Sequence, residues 1–291
     1  MKFLLIQSKG RHPENSMYRE ALCLNTGLNL INGITSYVWG FGYQNSSIPL
    51  QKILPMVDVV VHLENYYRPK ENWLPNLSKI KQLKVFWSID AHLSLKRHLQ
   101  IVDQHKINIV LNSTHRFVSA FNKGNVKSFW FPNCYSDDLI HPIDNVKKLY
   151  NIGFCGRYVN RKRWIDLLYK QFKIKRDIMV LGFNMVKAIN SYKIHFNRNY
   201  SNDVNYRTFE TMGCRTLLLT NNTDRLCDLV AIGKHCIVYK DYKDCAQKIK
   251  FLITNPEARI EIENSGHQHV LKNHTYKVRA QQLVKLIKEC A

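Results

Sequence analysis

Acidic residues are scarce in this 291-residue chain: 22 Asp and Glu stand against 43 Lys and Arg, a formal net charge of +21. The deficit is uneven. Residues 1–145 carry 16 basic and 10 acidic side chains, the remainder carries 27 and 12, and residues 157–198 alone hold 11 and 2. Such a surplus calls for an anionic partner: nucleic acid, an acidic membrane surface or a phosphorylated substrate. The competing reading is the solvated surface of a lysine-rich composition. Long apolar runs are also missing. None approaches the ~20 residues that cross a bilayer, so no transmembrane helix is expected. The early apolar stretch, Phe3 to Ile6, is too short for a signal-peptide core and reads as a first strand, which points to a cytoplasmic protein. The eight cysteines include no C-x-x-C pair. That removes the clustered spacing of a zinc site or disulfide framework and leaves reduced thiols. No low-complexity tract or short repeat interrupts the chain, and a 45% hydrophobic content excludes disorder.

What the chain does have is an alternation of short apolar runs with helical periodicity, the mark of βα units and parallel sheets. In the first half strands are expected at 2–7, 35–40, 57–63, 84–89, 107–111 and 127–131. A helix over 16–30 would use Ser16 as its cap and Tyr18, Ala21, Leu22, Leu24 and Leu28 as its apolar stripe. A second series begins after Pro132, Pro142 and the polar stretch 144–148. Its strands are expected at 150–155, 178–182, 192–196, 215–220 and 236–239, and its helices at 163–171, 203–212, 242–254 and 256–271. A last helix covers 276–289. The expectation is an α/β chain of two Rossmann-like, doubly wound domains, 1–145 and 146–275, with a closing helical segment 276–291 packed back on the first. Ligands of such sheets bind beyond the carboxyl ends of the strands.

Four loops at such positions carry chemistry. After the first strand, Gly10 allows close backbone approach, and the next helix offers amides to an anion; a plain strand-to-helix turn reads equally well. After the fourth strand come Asp90 and His92. A carboxylate or imidazole there could take a proton from an acceptor hydroxyl, or Asp90 could simply cap the next helix. His267, His269 and His274 read as surface residues on a basic helix. In the second half, Gly156-Arg157 is followed by Arg161-Lys162-Arg163 at a helix start. A glycine after a strand with cations over a helix N-terminus suits a diphosphate, and the same patch suits nucleic acid. Tyr158 and Trp164 interleave with these cations, Trp164 as a core residue. Finally, Arg207 and Glu210 lie three apart on a short helix, with Gly213 as a C-terminal signal and Leu217-Leu218-Leu219 as the next strand. They are either a surface ion pair or a cation and carboxylate for the phosphate and ribose of a nucleotide sugar.

With these residues in view, the chain resembles the GT-B glycosyltransferases, in particular the group 1 branch related to family 4 and the spore-maturation type. The matching features are Gly156-Arg157 with Lys162 and Arg163, then Arg207-Thr208-Phe209-Glu210 with Gly213, then His274-Thr275-Tyr276 with Arg279. The likeness covers about residues 150–290 and is looser over 1–145. It implies two domains facing a central cleft. It also implies a nucleotide-diphosphate sugar donor, foremost a UDP-sugar, held by Arg157 and Lys162 or Arg163 at the diphosphate, by Glu210 at the ribose, and by Arg207 and Thr208 near the phosphates. The acceptor would enter past Asp90 and His92. One departure stands out. Many family-4 enzymes carry two glutamates separated by seven residues, and Asn202 occupies the place of the first.

Such enzymes work without a bound metal, consistent with the absence of a D-x-D pair here. For the acceptor, charge favours DNA over a membrane surface, and a hydroxymethylated pyrimidine as in bacteriophage DNA-modifying members of the fold. Two alternatives stand beside it. One is a peripheral membrane enzyme acting on lipopolysaccharide or another glycolipid, although the 16–30 helix lacks the basic polar face expected of a membrane-surface helix. The other is a non-catalytic nucleic-acid-binding protein that kept the fold.

Overall fold

The apolar runs of the first half build one parallel sheet and those of the second half another, in a computed structural model that describes residues 1–65 and 73–290. The first sheet contains β1 (Lys2–Ile6), β2 (Thr35–Trp39), β3 (Val59–Leu63), β4 (Leu83–Ser88), β5 (Ile109–Asn112) and β6 (Lys127–Trp130), in the order β2-β1-β3-β4-β5-β6. Between these strands run α1 (Glu20–Asn29), α2 (Leu50–Ile53), α3 (Ala91–His105) and α4 (Val118–Phe121). The second sheet contains β7 (Tyr150–Gly156), β8 (Lys175–Ile178), β9 (Tyr192–Phe196), β10 (Leu217–Asn221) and β11 (Ile237–Tyr239), in the order β11-β10-β9-β7-β8. Its helices are α5 (Lys162–Phe172), α6 (Gly182–Asn190), α7 (Tyr206–Gly213), α8 (Leu226–Leu229), α9 (Tyr242–Thr254) and α10 (Pro256–Asn273). The chain divides into Met1–Pro132 with Tyr276–Ala291, and Asn133–Thr275, so the last helix, α11 (Tyr276–Cys290), belongs to the first unit.

The central strands are apolar on both faces because helices cover both. Phe3, Leu4, Leu5 and Ile6 of β1 are fully buried, as a parallel sheet of doubly wound units requires. Leu4, Ile6 and Trp39 join one core cluster, and Phe86, Val110 and Phe121 another. In the second unit one cluster gathers Phe154, Ile165, Leu168, Ile194, Phe196 and Leu219. Burying each such side chain contributes roughly 1.5–3 kcal/mol. In the first unit α11 packs along α1. Counted from its own first strand, each sheet has the order 2-1-3-4-5, with a sixth strand added to the first. The order therefore reverses between β1 and β3 and again between β7 and β9, which makes the loops after those strands the natural ligand sites.

Three elements depart from the sequence reading. Ser16 caps nothing: it lies in a 3-10 turn, Pro13–Tyr18, and α1 begins only at Glu20. The carboxylate of Glu20 is drawn to the end of the sheet, where Gln7 Nε2 donates to it at 2.9 Å. The strand expected at 178–182 sits earlier, at Lys175–Ile178, and residues 182–190 form α6 instead. β8 is an edge strand, and its sequence Lys-Arg-Asp-Ile carries the charges that discourage edge pairing rather than an apolar run. Gly213 is the last residue of α7 rather than a left-handed stop; the left-handed residue is Arg215, at φ 50°.

Candidate functional site

In the second unit the site begins at the carboxyl end of β7. Arg207, in the first turn of α7, donates from Nε to the carbonyl of Cys155 at 3.2 Å and pairs through Nη1 with Glu210. One guanidinium thus ties the Arg207–Glu210 pair to the strand end that continues into Gly156-Arg157. Burial works most strongly against its charge, but the carboxylate of Glu210 together with the neighbouring Cys155 and Cys214 raises its pKa above the ordinary arginine value. The pair is no solvated surface bridge: the two side chains are only 21% and 13% exposed. Beneath it, His195 of β9 is fully buried and accepts from the Cys155 amide at Nε2, 3.2 Å away, so its Nδ1 proton faces Thr211 Oγ1 at 2.6 Å. Burial first, and the Arg207 charge second, push its pKa down to about 3, which keeps the ring neutral.

The cations of the following loop divide into two groups. Arg161 is turned inward, donating from Nε to the Arg198 carbonyl at 2.6 Å and from Nη1 to the Arg157 carbonyl at 3.3 Å. Burial lowers its pKa. Arg157, Lys162 and Arg163 are exposed. Lys162 reaches Asp166 at 2.7 Å, one turn along α5, and Tyr158 donates its hydroxyl to the same carboxylate. Trp164 packs partly buried against the core, ring-to-ring with Phe196, and carries the Arg198 guanidinium 4.4 Å over its face. Thr208 is fully buried, and its hydroxyl makes no hydrogen bond among the described residues.

The sequence reading passed over the loop after β9. Asn197 and Asn199 are buried there and share Thr220 Oγ1 at 3.3 and 3.2 Å, while the Asn199 amide donates to Asn221 Oδ1 at 2.7 Å. Asn202, in the place of the absent glutamate, adopts φ 54° and accepts from the Asp224 amide at 2.9 Å. This polar knot at the ends of β9 and β10 holds the loop that carries Arg198 opposite Gly156 across the switch point. Its signal was the polar run Asn197-Arg198-Asn199 straight after a strand.

His267, His269 and His274 correct the expectation of a basic surface. His274 is buried, the other two partly so. His269 and His274 both contact the Leu229 carbonyl through Nε2, at 2.7 and 2.9 Å, and His267 Nδ1 contacts the Met212 carbonyl at 3.1 Å. The cause is that α10 packs on α7 and β10. Arg279 is likewise buried, donating to the Pro132 carbonyl at 2.8 Å.

In the first unit Gly10 adopts φ 86° in the loop after β1, with Arg19 beside it. Asp90 stands in the N-cap position of α3 and His92 in its first turn. Both are half-buried. Neighbouring Glu64, at the end of β3, is buried and accepts from the amides of Ile89 and Asp90 at 2.7 and 2.6 Å. Among the described residues no group of three His, Cys, Asp or Glu is placed to hold a metal ion, and no helix is long and apolar enough to cross a membrane.

Residues 137–285, just over half of the chain, match the glycosyl transferase-like family, to which the protein belongs. It is a glycosyltransferase on a GT-B α/β fold. Solved structures agree on that fold at low sequence identity. An α-glucosyltransferase in complex with UDP-glucose and DNA containing an abasic site is 11% identical over 99% of both chains, with a TM-score of 0.72. Sucrose-phosphate synthase from Thermosynechococcus elongatus is 10% identical, covering 99% of this chain and 98% of its own, with a TM-score of 0.68. Anabaena HepE in complex with UDP and glucose is 12% identical over 99% and 100%, with a TM-score of 0.61. No curated protein matches the sequence.

Proposed function

We propose that the protein moves a sugar from a nucleoside-diphosphate sugar, foremost a UDP-sugar, to the hydroxyl of a hydroxymethylated pyrimidine in DNA. One observation carries the donor half: Arg207, paired with Glu210, is bonded to the carbonyl of Cys155, next to Gly156-Arg157 at the switch point of the second sheet. In this reading the guanidinium of Arg207 and the exposed Arg157, Lys162 and Arg163 meet the diphosphate. Glu210, paired with its arginine, accepts from the ribose hydroxyls. The surface bridge of Lys162 to Asp166 is cheap to exchange for phosphate. Thr208 stands in the first turn of α7, near the phosphates, with its hydroxyl buried. Cleaving the sugar–phosphate bond builds negative charge on the leaving diphosphate, and fixed cations act where that charge develops, so no metal is required. In the first unit Asp90 accepts the proton of the acceptor hydroxyl with His92 beside it, and Gly10 lets backbone approach the acceptor or donor sugar.

The net charge of +21, concentrated after residue 145, supports a polyanionic acceptor. The likeness to a glucosyltransferase solved with UDP-glucose and DNA is in keeping with that. A base hydroxyl inside a duplex must be exposed, by flipping, to reach a catalytic group. This reading puts the enzyme in the cytoplasm, that of the host if a bacteriophage encodes it, and in the spore-maturation type of the group 1 branch. The test is incubation with a panel of nucleotide sugars and hydroxymethylated duplex DNA, followed by digestion and mass measurement of the nucleosides. A hexose or pentose mass added to the modified nucleoside is expected. Hydrolysis of the donor without nucleoside modification, together with retention on anionic liposomes, would instead identify a glycolipid acceptor.

A further inference from the structure

The turn from β4 into α3 is held more tightly than a strand-to-helix turn needs. Glu64 Oε2 accepts from the amides of both Ile89 and Asp90, at 2.7 and 2.6 Å. Its other oxygen, Oε1, lies 2.9 Å from His98 Nε2, on the third turn of α3, and His98 Nδ1 lies 2.8 Å from Ser88 Oγ at the end of β4. Asn112 of β5 donates to the same hydroxyl at 3.4 Å. Glu64, His98, Ser88 and Asn112 are all buried. The clamp therefore grips the turn from its strand side, its two central amides and its helix side.

Burying a carboxylate is costly, and an N-cap side chain or water satisfies helix amides at far lower cost. The helix itself gives a second sign. Ser94 departs from helical geometry, at φ −144° and ψ 29°, so the first turn with Ala91, His92 and Leu93 is offset from the body of α3. The Leu93 amide donates to the Asp90 carbonyl at 2.9 Å, and the Glu64 carboxylate adds its two bonds from outside the helix.

We propose that Glu64, oriented by His98, is a positioning residue that sets where Asp90 and His92 stand relative to the acceptor hydroxyl. The inference rests on the reading of Asp90 given above. Glu64 touches neither substrate; it acts through two backbone amides. Neutral glutamine at this position keeps an oxygen for those amides but loses the charge that strengthens both bonds and the pairing with His98.

The test is a double-mutant cycle of Glu64→Gln and Asp90→Asn, assayed with UDP-glucose and hydroxymethylated duplex DNA, beside hydrogen exchange of the segment 89–93. Glu64→Gln is expected to lower kcat, on the order of 10²-fold for a misplacement near 1 Å, leave KM for the donor unchanged, and speed exchange across 89–93 alone. In the Asp90→Asn background it should cost nothing further. A full loss by Asp90→Asn with no loss by Glu64→Gln overturns the positioning role and leaves the reading of Asp90 standing. An unimpaired Asp90→Asn overturns both. Additive losses, or unchanged exchange over 89–93, also overturn the positioning role. Should Glu64→Gln fail to fold, His98→Gln, which keeps a donor for Glu64 and loses the link to Ser88, is expected to give a smaller loss of the same kind; wild-type kcat and exchange in it would overturn the proposal.

Discussion

The ring of Tyr135 fills the space that a side chain at Gly213 would need: a Cβ there would stand 2.5 Å from Cε2 and 2.7 Å from Cδ2. Tyr135 is buried and its amide donates to the His274 carbonyl at 3.1 Å, so it has no room to withdraw. Gly213→Ala is therefore expected to destabilise the second unit by about 1–3 kcal/mol, the usual range for overpacking. Denaturant unfolding followed by far-UV circular dichroism checks it; a change within experimental error would mean that the ring moves freely.

Two buried histidines give the fold a defined response to acid. Burial pushes both His62 and His195 down to about 3, well below the ordinary 6.5. The unfolded chain binds their protons as pH falls below about 6.5, while the folded chain refuses them until about 3. Stability is therefore full above that window and is lost through it, by up to about 1.4 kcal/mol per pH unit for each ring. Urea unfolding at pH 7.5, 5.5 and 4.5 should show the decline. His195→Gln should flatten the share belonging to the second unit.

Replacing the guanidinium at the strand end should damage transfer more than the fold. Arg207→Lys keeps a charge but gives up the planar fork that serves Cys155 and Glu210 together. A loss of about 10²–10³ in kcat, the scale of deleting one stabilising donor, is expected with a UDP-sugar donor. Glu210→Ala should raise KM for the donor as well, because in this reading it holds the ribose.

Affinity for duplex DNA should fall steeply with salt, with a log–log slope near −0.9 per phosphate contacted. Lys170 on α5, Lys173 just after it and Arg176 on the edge strand β8 are all exposed. Replacing all three with glutamine should shallow the slope by up to about 3. Filter binding between low and physiological salt measures it. An unchanged slope would remove this edge from the DNA-binding surface.

The fold was legible wherever burial on both faces left a continuous apolar signal, as at Phe3 to Ile6 or Leu217 to Leu219. It was illegible where geometry rather than hydrophobicity decided. β8 is charged because it is an edge, Gly213 is small because Tyr135 is adjacent, and α6 begins where Met179 and Gly182 take positive φ. For the site, Arg207 and Glu210 announced themselves by type and spacing, and the structure ties them to Cys155. Glu64 left no such trace. A single carboxylate after an apolar strand has no pattern, and its partners Ile89, Asp90 and His98 are contributed by a different βα unit. The buried asparagines at 197 and 199 left only the polar run Asn197-Arg198-Asn199 after a strand, a signal that an ordinary loop gives equally well.

The helix α11 covers α1 so closely that a Cβ on Gly27 would meet the Tyr276 carbonyl at 2.7 Å. During synthesis α1 emerges early and its cover emerges last, after the whole of the second unit. At ~5–20 residues per second the face carrying Gly27 waits on the order of tens of seconds on the ribosome. The first unit can finish folding only after the second has been made, so a nascent chain stalled anywhere before Tyr276 presents that bare helix to chaperones and proteases.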